Sequence, residues 1–145
     1  MVVANGDLQT LALTLWGEAR SEGRDGMIAV AWVIRNRVEL DLNKDGKPDW
    51  WGEGYSQVCR APYQFSCWNK ADPNRPYLIG ERPIPASQLL SCTQIAQWVM
   101  NNSVPDPTYG ATHYYATSMR AAPPWAASAQ KTTAIGRHIF FKDVR

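Results

Sequence analysis

Two acids near the start of the chain, Glu18 and Glu22 in "LTLWGEARSEGRDG" (13–26), are four residues apart. Paired carboxylates are the usual equipment for cutting a glycosidic bond, one giving a proton and the other acting across the sugar ring. Four residues of α-helix turn by about 400° and rise by about 6 Å, so the two side chains leave one face side by side. Glycosidase pairs stand about 5 to 9.5 Å apart on opposite sides of the scissile bond. The spacing therefore argues for one acid rather than an opposed pair. Glu18 follows Trp16 and Gly17 in the last turn of a helix, where the negative helix end and neighbouring apolar surface both favour the protonated carboxyl. A carboxylic acid protonated near neutral pH is what general acid catalysis requires. A surface Glu18 paired with Arg20 or Arg24 stays open from pattern alone. Glu22 fits a group that orients Glu18 or pairs with an arginine.

Other chemistry-bearing residues are scattered. The loop "DLNKDGKPDWWGE" (41–53) imitates a calcium loop through Asp41, Asn43, Asp45 and Asp49, with a backbone carbonyl at Lys47. Its twelfth position is Gly52, however, with Glu53 one residue too late to serve as the bidentate ligand. A looser calcium loop and a solvated turn both stay open. His113 and His138 lie far apart with no local metal spacing, and hydrogen-bonded structural roles suit them better. Cys59, Cys67 and Cys92 show no zinc spacing; buried free thiols are favoured over a Cys59–Cys67 bridge. No nucleophile elbow or phosphate-binding glycine loop occurs.

The elements that must position these residues read as one α+β domain over residues 1–145, helices first and most strands late. With 45% hydrophobic and 19% charged residues, the composition is that of an ordinary globular chain. Asp7 suits the N-cap of a first helix with Leu8, Leu11, Ala12, Leu15 and Ala19 on one stripe, and Gly23 suits its stop. Asp25 is expected to cap a second helix from about Gly26 to Leu40, whose first turns are apolar all round and so belong at the domain's centre. Residues 41–54 read as loop, 55–68 as extended or hairpin-like, and 69–85 as a proline-punctuated loop. A third helix is expected over Ala86–Asn101, then strands at "ATHYYAT" and "RHIFFKDV" joined by a loop around "APPWA".

Charge excludes some partners. A net charge of +2 with no basic block argues against a dedicated nucleic-acid binder, and the longest apolar run, "MIAVAWVI", is too short for a membrane span. Seven tryptophans and six tyrosines exceed what a core of this size needs. They suit a groove of aromatic platforms as well as a core.

Four segments together resemble the SleB/CwlJ-type cell-wall hydrolases, the spore-cortex-lytic enzymes and their relatives: "LWGEARSEGRDGMIAVAWVIRNRV" (15–38), "VCRAPYQFSCWN" (58–69), "DPTYGATHYYAT" (106–117) and "IGRHIFF" (135–141). They occur in the family's order across nearly the whole chain. The resemblance implies a lysozyme-like domain cutting peptidoglycan between N-acetylmuramic acid and N-acetylglucosamine, as a lytic transglycosylase or a muramidase. It puts the catalytic acid at Glu18 and the family's second motif acid at Glu22. It implies groove walls from Gln64, Phe65, Ser66 and Trp68 and from Thr112, His113, Tyr114 and Tyr115. No cofactor is required on this reading, calcium in the 41–54 loop apart; the partner is the glycan strand, and a monomer is expected. The N-terminus lacks the basic and apolar regions of an export signal. With a single domain and no wall-binding repeat, this suggests a phage endolysin made in the host cytoplasm and released through a holin-type lesion. Two alternatives remain: a non-catalytic, calcium-stabilised glycan-binding module, and an amidase using Cys67 or a metal.

Overall fold

A computed structural model describes residues 5–40, 51–52, 54–62 and 64–144. The calcium-loop candidates Asp41, Asn43, Asp45 and Asp49 lie outside the described residues.

The chain begins with helix α1 (Asn5–Ala19), passes through a 3-10 turn (Arg20–Glu22) and continues into α2 (Gly23–Glu39). Gly23 sits at φ 76° at this junction, a conformation that favours glycine. The stop predicted there is thus a corner between two helices. Two cap assignments change. Asp7 lies in the first turn of α1, and its carboxylate accepts bonds from the backbone N–H and hydroxyl of Ser56, at 3.2 and 2.9 Å. It therefore caps a different helix, α3 (Gly54–Arg60). Asp25 lies within the first turn of α2 rather than ahead of it.

That cap explains the largest departure from expectation. Residues 55–68 are not a hairpin: they form α3 and a 3-10 turn at Ser66–Trp68. A cap delivered from 49 residues away overrides the local β-like composition. Within the proline-rich stretch lies a one-turn helix, α4 (Arg75–Leu78), and α5 spans Ala86–Met100 close to the predicted range.

Residues 113–142 supply a three-stranded antiparallel sheet in the order β1-β3-β2: β1 (His113–Ala116), β2 (Gln130–Ile135) and β3 (His138–Lys142). Strand β2 was not expected. Its sequence, QKTTAI, is mostly polar and its side chains largely exposed, so its hydrogen bonds to β3 rather than any apolar alternation place it.

Helix α2 lies between two packed layers. One face meets α1 and α5 in a core containing Leu11, Leu15, Val30, Ile34, Val58 and Val99. The other packs Ala29 and Val33 against Phe140 of the sheet. An unbroken buried run from Gly26 to Ile34 follows, as an all-round apolar helix predicts. None of the described helices is long and apolar enough to cross a membrane.

Candidate active site

Glu18 leaves the last turn of α1, whose terminal carbonyls are satisfied by side chains. Arg20 donates to Trp16 O at 2.8 Å and Asn74 donates to Gly17 O at 3.3 Å, while Arg20 also donates to Asn74 Oδ1 at 3.0 Å. The Arg20 guanidinium lies over the Trp16 ring, 3.9 Å from its centroid. Arg24 sits over Trp98 instead. Neither arginine pairs with Glu18, so the exposed ion-pair alternative fails.

The 3-10 turn Ser66–Trp68 is drawn onto this helix end by a missing side chain. A Cβ on Gly17 would stand 2.6 Å from Cys67 Cβ and 2.8 Å from its sulfur, closer than real contacts allow. On the same side Trp68 Nε1 donates to Thr14 Oγ1 at 2.9 Å. The close approach places the backbone N–H and hydroxyl of Ser66 as donors to the Glu18 carboxyl.

Burial pushes the Glu18 pKa up to about 7, helped by the negative charge of Asp72 and opposed by the two Ser66 hydrogen bonds. Burial was expected; Asp72 was not singled out. Asp72 is held by its own turn, accepting from Asn74 N at 2.9 Å, and no sequence pattern connects it to a glutamate 54 positions earlier. Trp16 donates to Gln88 Oε1 at 2.8 Å and packs on Tyr77. A fourth member, Tyr114, reaches the site from β1. Burial and the nearby Glu18 carboxylate hold its phenol well above 10, and its ring packs on His138 and Phe140.

Of the other predicted wall residues, Gln64, Phe65, Thr112 and His113 gather around Arg37, a buried α2 residue that pattern reading passed over, whereas Trp68 and Tyr115 lie elsewhere. Its Nε donates to Thr112 O at 2.6 Å and its Nη1 to Gln64 Oε1 at 3.2 Å. Its guanidinium lies over both Trp51 and Phe65. His113 bonds to Thr112 Oγ1 through Nδ1 at 2.9 Å. Burial, then the Arg37 charge, lower its pKa to about 4. A neutral imidazole at pH 7 can hydrogen-bond a ligand but does not supply a ready acid. Tyr115 stacks on Phe141 beneath Trp125. Gln64 and Ser66 are exposed, whereas Phe65, Thr112 and His113 are buried and act as supports.

Glu22 is not gathered with Glu18's neighbours. Its side chain is 5% exposed and is held by the β2–β3 turn, accepting from Arg137 N, Nε and Nη2 at 3.0, 3.0 and 2.7 Å. It pairs with an arginine as one reading allowed, but with one 115 residues away.

The three cysteines are buried and unbridged. Burial raises the thiols of Cys59 to about 12 and Cys92 to about 11, and burial with the Glu18 charge sends Cys67 higher still. Thiols held so firmly protonated are poor nucleophiles. Among the described residues no group of three His, Cys, Asp or Glu could hold a metal.

Taken together, Glu18, Ser66, Asp72 and Tyr114 form a site able to give and take a proton near neutral pH. Two solved structures share the fold. The catalytic domain of the germination-specific lytic transglycosylase SleB from Bacillus anthracis is 26% identical with a TM-score of 0.69, covering 97% of each chain. The catalytic domain of the Bacillus cereus SleB protein is 25% identical with a TM-score of 0.68, covering 97% of this chain and 93% of that one. No curated protein matches significantly. Residues 21–141 match the Cell Wall Hydrolase family, a stretch that includes Glu22, Arg37 and all but the last residue of the sheet and begins three residues after Glu18. By that match the chain belongs to the Cell Wall Hydrolase family.

Proposed function

We propose that this protein is a lytic transglycosylase that cuts peptidoglycan glycan strands between N-acetylmuramic acid and N-acetylglucosamine, with Glu18 as its acid and base. The observation that carries this reading is the environment of Glu18: one carboxyl group, half-buried, with its pKa raised to about 7. A catalyst balanced between its two protonation states can act in both halves of a reaction.

In the first half Glu18 gives its proton to the glycosidic oxygen. The C1–O bond breaks, N-acetylglucosamine leaves with a free 4-hydroxyl, and positive charge develops on the muramic acid ring. The muramic acid's own N-acetyl group stabilises that carbon. In the second half the Glu18 carboxylate takes the proton of the 6-hydroxyl as O6 bonds to C1. This leaves a 1,6-anhydro end and restores the acid, and no water is consumed. The Ser66 donors stabilise the carboxylate between the two halves, while Asp72 and burial keep it basic.

Likeness to a structure described as a lytic transglycosylase supports this outcome over hydrolysis. The position of Glu22 supports it as well, because that second acid is committed to Arg137. The amidase alternative loses support through the protonated Cys67 thiol.

Digestion of purified sacculi by wild type and Glu18→Gln, with products read by mass spectrometry, tests the proposal. Anhydro-muropeptides from wild type alone are expected. Reducing-end products would make the enzyme a muramidase, and intact sacculi with folded wild type would remove the catalytic reading.

A further inference from the structure

The turn that carries Asp72 to Glu18 is fastened to α1 through Asn74. Its Nδ2 donates at 3.3 Å to Gly17 O, the carbonyl of the peptide bond on which Glu18 is mounted. Its Oδ1 accepts from Arg20 Nη2 at 3.0 Å. A guanidinium can only donate and a carbonyl can only accept, so this amide faces one way. Arg20 is fixed in turn, donating to Trp16 O at 2.8 Å and lying 3.9 Å over the Trp16 ring.

The same residue holds Asp72. Asn74 N donates to Asp72 Oδ1 at 2.9 Å, and Arg75 N donates to Asp72 O at 3.1 Å. Between Asp72 and Asn74 stands Pro73, whose ring fixes φ. A turn closed in this way around a proline moves as a unit. Whatever pins Asn74 therefore pins the Asp72 carboxylate.

Local rules would use this asparagine differently. It stands at the N-cap of α4, where an Asn side chain ordinarily accepts from a free N–H of the first turn. Asn74 makes no such bond. Its amide is turned back to α1, and α4 goes without a side-chain cap.

The groups that titrate around Glu18 are Asp72, Tyr114 of β1, Cys67 of the 3-10 turn and Cys59 of α3. Burial keeps the phenol and both thiols protonated near neutral pH. Among the described residues, Asp72 is thus the charge that acts on Glu18. Its effect weakens with distance and with the entry of water.

We propose that Asn74 is a positioning residue of this site: its side chain grips the Gly17–Glu18 peptide and its backbone grips the Asp72 carboxylate, so the two carboxyl groups keep a fixed separation. The role rests on the reading of Glu18 as the acid for its meaning in catalysis. The separation itself can be measured without substrate.

The test titrates full-length protein labelled with 13C at the glutamate side-chain carboxyls, the Glu18 signal being the one missing from Glu18→Gln. In wild type its midpoint is expected near 7. Asn74→Ala is expected to lower that midpoint by about half a pH unit or more, as the Asp72 turn loosens. The shift should be much smaller when Asp72→Asn is already present. Should Asn74→Ala not fold, Asn74→Ser, which has no amide to join Arg20 to Gly17 O, carries the same expectation. An unmoved midpoint in the folded variant, or an equal shift in the Asp72→Asn background, overturns the proposal. Digestion of sacculi by wild type is run alongside: absence of products would sink the cleavage reading, whereas the role of Asn74 stands or falls on the titration.

Discussion

Glu22 and Arg137 are joined by three hydrogen bonds, two to the guanidinium and one to the backbone N–H, so that a helix corner holds a hairpin turn. Gly136 beside them has no Cβ; one placed there would come within 3.2 Å of Glu22 Oε1. The contact fixes the β2–β3 hairpin on the start of α2, and through β3 it fixes β1, which carries Tyr114 to Glu18. The acid nearest to Glu18 along the helical segment is thus a structural tie with an indirect effect on the site.

Replacing it should show that division. Burial alone would raise the Glu22 pKa, but the Arg137 backbone N–H and guanidinium and the nearby His138 outweigh it and hold it below the ordinary 4.5. A depressed carboxylate contributes stability that is present above 4.5 and is lost as pH falls through the folded-state value. Glu22→Gln should therefore lower stability by about 1–2 kcal/mol at pH 7, with the difference from wild type shrinking in acid. Activity should fall far less than in Glu18→Gln. Denaturation at several pH values, with turnover measured on the same samples, checks both. Equal loss of turnover in folded Glu22→Gln would place Glu22 in the chemistry.

Glu18 should behave in the opposite way. With a folded-state pKa of about 7, raised from 4.5, it stabilises the protein least when ionised. Its contribution is fully present below 4.5 and is lost as pH rises through 7. Glu18→Gln removes the charge while keeping the shape, so the variant should be more stable than wild type at pH 8 by about 1–3 kcal/mol. The gain should vanish near pH 4. The same variant should lose about 10²–10⁴-fold in kcat. A site residue whose removal stabilises the fold is the signature sought. A destabilised Glu18→Gln would contradict the buried, ionisable site.

The neighbours of Glu18 should move its titration in opposite directions. On the proposed mechanism the free enzyme needs protonated Glu18, so kcat/KM should fall as pH rises above about 7. Asp72→Asn removes a negative charge that raises the pKa, and should shift that limb to lower pH. Ser66→Ala removes a donor that lowers it, and should shift the limb to higher pH. Rate profiles of the three proteins on one soluble glycan substrate give the comparison. Shifts of the same sign would mean the limb belongs to another group.

How much of this was legible in the sequence depended on how local each cause is. The positions of α1, α2 and α5 follow from apolar periodicity, and the central burial of α2 from its uninterrupted apolar run. The single α-helix assumed for Glu18 and Glu22 ends at Ala19, and Glu22 lies in the 3-10 turn after it, so their placement side by side on one helix face was not legible. The helix at Gly54–Arg60 was hidden because Asp7 caps it through space. Strand β2 was hidden because its polar residues are ordered by pairing with β3. Asp72 and Arg37 were missed for the same reason: each acts on groups brought near only by the finished fold.

Gly17 offers the sharpest check on how the site is positioned. In an ordinary helix, exchanging glycine for alanine is favourable by about 1 kcal/mol. Here the added Cβ would overlap Cys67 Cβ and sulfur, so the Ser66–Trp68 turn has to retreat from α1. Overpacking of this kind costs about 1–3 kcal/mol, which outweighs the helical gain, so Gly17→Ala should be less stable than wild type. It should also draw the Ser66 donors off Glu18, and a displacement near 1 Å can cost about 10²-fold in rate. Cys67→Gly removes the atoms in the way. The double variant Gly17→Ala, Cys67→Gly should therefore recover part of the activity lost by Gly17→Ala alone, a non-additive result in a mutant cycle. If the two substitutions simply add, the contact between Gly17 and Cys67 is not what holds Ser66 against the Glu18 carboxyl.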